Sequence, residues 1–151
     1  MRDNSNHIMK KIILLVDDDR AMVDLLATLF LQNGWLPMRA MCGEEAIAAI
    51  VRTVPDAVIC DLNMAGISGF EVAAQLRKSC GIHCPALVAF TACCDRDIGM
   101  HAMEAGFNAV VAKPAEFDKL MSAVKMSLKV NRRAHQKSVT EHHKLPTASH
   151  A

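Results

Sequence analysis

Four short apolar runs carry no polar alternation: Ile12 to Val16, Ala57 to Cys60, Ala86 to Phe90 and Ala109 to Ala112. A strand with one face in water alternates apolar and polar residues. Unbroken runs of strand length suit parallel strands covered on both faces. A fifth, weaker run, Leu36 to Met41, contains Pro37 and Arg39. Proline has no N–H to give to a sheet ladder, so this run is expected at a sheet edge.

Helical patterns separate the runs. Met22, Leu25, Leu26 and Leu29 recur at the helical period, and Gly34 fits a stop signal. Asp19 stands where an N-cap is needed. Ala46, Ile47 and Ile50 mark a second helix. Ser68 and Glu71 form a capping-box pair that predicts a third helix from about Gly69. Ile98 to Ala105, closed by Gly106, predict a fourth, and Phe117, Leu120, Met121, Val124 and Leu128 a fifth. Strand followed by helix, repeated, implies a parallel sheet with helices on both faces, joined by right-handed crossovers.

With 52% hydrophobic and 22% charged residues in 151, the chain can bury one core, which excludes disorder throughout. No apolar stretch reaches the length of a membrane span. Met1 to Lys11 lacks the apolar core of a secretory signal, so the expected location is the cytoplasm. The net charge of +1 is unevenly spread: the segment from Lys129 onward carries +4, the remainder −3. Residues 1–9 read as a short extension, 10–130 as the folded domain, and 131–151 as a basic, His-rich tail expected to be disordered. The tail is too short for an output domain. Its His135, His142, His143 and His150 are expected to be solvated, without fixed metal-binding geometry. The six cysteines are expected to be free thiols, mostly buried as small hydrophobes. In the segment from Cys80 to Cys84, spacing around His83 does not fit a zinc motif.

The chemistry is expected at the strand ends. Asp17 and Asp18 follow the first run, Asp61 the third, Thr91 the fourth and Lys113 the fifth. Strand ends of a parallel sheet lie on one edge, where open α/β sheets bind their ligands. Three clustered carboxylates require a cation or protons. An oxygen-only donor set favours Mg²⁺, which also accepts phosphate oxygens. A carboxylate beside such a metal, an ammonium and a hydroxyl suits a phosphoryl acceptor better than a hydrolase.

Taken together, Ile13-Leu14-Leu15-Val16-Asp17-Asp18, Asp61-Leu62-Asn63-Met64, Phe90-Thr91-Ala92 and Lys113-Pro114 resemble the receiver domain of two-component response regulators, of the single-domain chemotaxis type. The resemblance covers Lys10 to Lys129. It implies a flavodoxin-like, doubly wound five-stranded parallel sheet in the order 2-1-3-4-5. It further implies that Asp61 is the phosphoacceptor, served by a sensor histidine kinase or a histidine phosphotransfer protein. Mg²⁺ would be held by Asp18, supported by Asp17, with Asp61 and the backbone carbonyl of Asn63. Thr91 would bond the phosphoryl group, and Lys113 would pair with the acceptor carboxylate or phosphate. The Lys113–Pro114 bond is typically cis in this family. Asn63 and Cys93 occupy positions that tune dephosphorylation. The protein would be a regulatory phosphoacceptor rather than an enzyme, with self-catalysed transfer and slow autodephosphorylation. Its output would be a changed surface of the fourth helix, fifth strand and fifth helix, read by a downstream protein, or onward transfer. No nucleic-acid contact through the domain and no membrane insertion are implied.

The sequence departs from the family pattern twice. Ala65 stands where a proline is usual, and Val110 where an aromatic residue couples to the threonine. Val110 favours an alternative, a phosphorylation-independent adaptor on the same fold; the intact acidic set opposes it. An aspartyl phosphatase would need a second acid where Asn63 stands, and a dinucleotide site would need glycines after Val16.

Overall fold

The computed structural model describes residues 9–80 and 83–142. Strands and helices alternate: β1 (Ile12–Val16), α1 (Arg20–Gln32), β2 (Leu36–Ala40), α2 (Gly43–Arg52), β3 (Ala57–Cys60), α3 (Gly69–Cys80), β4 (Ala86–Thr91), α4 (Arg96–Ala105), β5 (Ala109–Ala112) and α5 (Phe117–His142). The five strands pair in parallel in the order β2-β1-β3-β4-β5. The strand carrying Pro37 lies at the edge, as the missing N–H requires.

Successive strand residues face opposite sides of the sheet, and both sides are covered. Ile13, Leu15, Ile59, Val88 and Phe90 pack under α1 and α5 against Phe30, Leu120 and Val124. Leu14, Val16, Val58, Leu87 and Ala89 pack on the other side against Ile50, Val72, Leu76 and Ala102 of α2, α3 and α4. This explains why the strands read as unbroken apolar runs.

Local signals set the helix ends. Asp19 accepts from the backbone N–H groups of Ala21 (3.0 Å) and Met22 (3.3 Å), which leaves Asp17 and Asp18 free of that duty. At α3, Ser68 N donates to Glu71 (2.8 Å) and Glu71 N to Ser68 (3.3 Å), a reciprocal capping box. Gly106 ends α4 at φ 112°, a conformation that favours glycine.

Two expectations are corrected. The helix of the expected tail continues through 131–142, because α5 extends to His142. Past Leu128 its inward stripe is carried by Asn131, His135 and Ser138, so the apolar signal fades while the helical phase persists. Asn131 fixes this turn: it donates to the carbonyl of Cys84 (3.1 Å) and accepts from Asn108 (3.3 Å). His143 and His150 lie outside the described residues. The six cysteines are free, but only Cys60 and Cys84 are buried; Cys42 and Cys80 are partly exposed, and Cys93 and Cys94 lie open to solvent. The latter two stand in the loop before α4, where no strand or helix face covers them.

Candidate functional site

The sheet ladder carries the site residues one step beyond the strands. Asp17 N donates to Ala40 O (3.2 Å), Asp61 N to Val16 O (2.9 Å) and Lys113 N to Thr91 O (2.8 Å). The backbone of each residue is therefore held by the neighbouring strand, and the side chains converge on one edge. One oxygen each from Asp17, Asp18 and Asp61 lie within 4.8 Å of one another. Asp17 and Asp61 are buried and Asp18 is exposed, so the cluster opens to solvent on the Asp18 side.

The Lys113 ammonium joins the two buried acids. Its Nζ donates to Asp17 Oδ2 at 2.5 Å and to Asp61 Oδ2 at 3.3 Å. The ring of Phe90 lies beneath it, 5.4 Å from Nζ to the centroid. Burial pushes the Asp17 carboxyl above its ordinary range, against the opposing hydrogen bond from Lys113. Burial by itself would lower Lys113, but the hydrogen bond and charge of Asp17, with the charge of Asp61, outweigh it and raise the ammonium above the ordinary lysine value. The other oxygens of the two acids have backbone partners. Asp17 Oδ1 accepts from Asp19 N (2.9 Å), and Asp61 Oδ1 from Asn63 N (3.3 Å). The Lys113–Pro114 peptide is cis.

Thr91 ends β4 at the same edge, 1% exposed. Its Oγ1 has no hydrogen-bond partner. A buried hydroxyl left unpaired costs about 1–3 kcal/mol, which a ligand oxygen at this edge would relieve. Three carboxylates facing one ammonium leave negative charge uncompensated. The donor set is entirely oxygen, so it fits a hard divalent ion such as Mg²⁺ and suits thiophilic metals poorly.

All the sequence-assigned residues therefore meet at this edge: Asp17, Asp18, Asp61, Asn63, Thr91 and Lys113. Gly69 was not among them. A Cβ there would lie 2.2 Å from the Asp61 carbonyl oxygen and 2.8 Å from Leu62 Cα, and its N–H donates to Leu62 O (3.0 Å). The first turn of α3 thus presses directly on the backbone that carries Asp61. The signal was a glycine opening a helix, where propensity argues against it. Val110 is half-buried and packs on the α4 side of the sheet.

Known proteins share the sequence pattern and the fold. The sequence pattern of the response regulator receiver domain matches residues 13–125. The chain is 35% identical over 117 residues to the response regulator MprA of Mycobacterium sp. (strain KMS), covering 78% of this chain and 50% of that protein. It is 30% identical over 123 residues to the DNA-binding response regulator MtrA of Mycolicibacterium smegmatis, covering 82% and 53%. The chain thus spans about half the length of these relatives. A solved CheY-like receiver domain protein from Methanospirillum hungatei JF-1 shares the fold, with a TM-score of 0.76 at 22% identity over 82% of this chain and 98% of that one. With the sheet order, the convergent acids and the family pattern in agreement, the chain belongs to the response regulator receiver domain family.

Proposed function

We propose that this receiver domain is a phosphoacceptor switch that takes a phosphoryl group onto Asp61 from a phosphohistidine. The donor is a sensor histidine kinase or a histidine phosphotransfer protein, and the setting is the cytoplasm. The carrying observation is the pairing of Lys113 with both buried acids beside the unpartnered Thr91 hydroxyl.

In the transfer, a carboxylate oxygen of Asp61 forms a bond to phosphorus. The bond from phosphorus to the histidine nitrogen breaks, and its electron pair stays on the imidazole. Asn63 N and Lys113 fix the carboxylate from two sides, so little reorganisation is left for the reaction. Lys113 offers positive charge to the arriving oxygens, and Thr91 offers its free hydroxyl. Asp17, Asp18, Asp61 and the Asn63 carbonyl are the residues to hold Mg²⁺, which when bound supplies further positive charge at the phosphoryl oxygens. The protein acts as a regulatory phosphoacceptor, not as an enzyme on a separate substrate. Phosphorylation adds roughly two negative charges at a buried edge, enough to bias a pre-existing equilibrium of the α4–β5–α5 surface toward a downstream partner.

Incubation with Mg²⁺ and a small acyl phosphate, followed by intact-mass measurement, tests the assignment. One phosphate-sized gain is expected, lost in Asp61→Asn. Val110 favours a phosphorylation-independent adaptor instead. No gain in mass, with Asp61→Asn unchanged in signalling, would establish that reading and overturn the switch.

A further inference from the structure

At the edge of the sheet opposite the acids, the structure brings together two histidines that are far apart in sequence. His83 lies in the connection before β4, and His135 on the continuation of α5. Their ring centroids are 5.1 Å apart, with the planes inclined at 55°. They line an open cavity of about 310 Å³ together with Cys84, Asn131, Arg132 and Gln136.

Two imidazoles bound to one tetrahedral ion at about 2.0–2.1 Å hold their centroids roughly 5 Å apart. The observed 5.1 Å separation equals that spacing, so rotation of the rings about their side-chain bonds is what would bring a nitrogen of each onto a shared ion. His135 is held in place because Asn131, one turn earlier, is bonded to Cys84 O at 3.1 Å. His83 is exposed, and His135 is half-buried. Neither participates in the acidic site, which lies beyond the other end of β4, about 20 Å of strand away.

We propose that His83 and His135 form a two-histidine site for a divalent ion of the Zn²⁺, Ni²⁺ or Cu²⁺ class. Imidazole selects these ions over Mg²⁺, which prefers the oxygen donors of the acidic cluster. Among the described residues no third histidine, cysteine or carboxylate joins the pair. The Cys84 thiol is turned to the carbonyl of Leu76, at 3.2 Å. The remaining coordination positions fall to water, and Arg132 on the cavity wall opposes a cation. The site is therefore an exchangeable one, not a structural zinc centre. Occupancy would clip the continuation of α5 to the α3–β4 connection.

Titration calorimetry of the full chain, without an affinity tag and in excess Mg²⁺, uses Ni²⁺ and Zn²⁺ as probes. One site is expected. His83→Ala and His135→Ala should each weaken it by about tenfold or more. A variant with His142→Ala, His143→Ala and His150→Ala should keep it. Cu²⁺-induced broadening in amide NMR spectra locates the ion independently and should centre on 83–84 and 131–136. Wild-type affinity in His83→Ala, no binding at all, or broadening centred on the acidic cluster or on 142–150 would overturn the proposal.

Discussion

The Lys113 ammonium lies 2.5 Å from Asp17 and only at 3.3 Å reaches Asp61, so the lysine is held chiefly by the acid that is not the proposed acceptor. This leaves Asp61 the less tightly paired of the two. It also makes the ammonium a part of the fold as well as of the chemistry.

Stability at high pH should report that pair. The ammonium is raised above the ordinary lysine value by Asp17 and Asp61, against burial. Its contribution is therefore complete below the unfolded value of about 10.4 and is lost as pH rises through the higher folded value. Lys113→Met should destabilise the protein by about 2 kcal/mol near neutrality, since it strips a charged hydrogen bond from a buried acid. Urea denaturation of both proteins from pH 7 to about pH 12 should show the difference shrinking only above the ordinary lysine range. A difference that is constant throughout would contradict the assignment.

Mg²⁺ should stabilise the fold, because it binds the assembled carboxylates and not the unfolded chain. At a hundredfold excess over Kd the gain is about 2.7 kcal/mol, several degrees in Tm. Asp18→Asn, at the exposed member of the cluster, should abolish most of the Mg²⁺-dependent shift, while the metal-free Tm should hold or rise, because one of three mutually repelling carboxylates is removed. An undiminished shift would place the ion elsewhere.

Gly69→Ala should destabilise, although alanine is the better helix former by up to about 1 kcal/mol. The added Cβ would meet the Asp61 carbonyl at 2.2 Å, and backbone cannot yield as a flexible side chain can. Overpacking of this kind costs about 1–3 kcal/mol, so the steric effect wins. Since the clash displaces the segment bearing Asp61, acyl-phosphate labelling should slow in parallel. Equal or greater stability in the variant would show that the contact is not rigid.

Thiol reactivity should separate the cysteines by position. Cys93 and Cys94 are exposed and should be alkylated first at mildly alkaline pH. Cys60 should resist until the protein is unfolded, because burial, with the nearby Asp61 and Asp17 charges, pushes its thiol far upward. Peptide mapping after a timed reaction distinguishes the two classes. Modification of Cys60 at the rate of Cys93 would contradict the packing of β3.

The alternation of unbroken apolar runs with helical patterns determined the layered parallel sheet, because burial on both faces leaves no polar positions in a strand. Pro37 determined which strand lies outside, through its missing N–H. The order Asp17-Asp18, Asp61, Thr91, Lys113 determined which side chains meet, since parallel strands put every such end on one edge. Tertiary structure alone decided the rest. Which acid Lys113 approaches more closely depends on side-chain packing over Phe90. The demand for glycine at 69 arises from the backbone of Asp61 and Leu62, on the far side of the loop that leads into α3. The helix through 131–142 is anchored by Asn131 across to Cys84 and Asn108, and the meeting of His83 with His135 follows from it. Apolar periodicity registers burial within a segment; polar contacts between distant segments leave no such period and emerge only when the chain is folded.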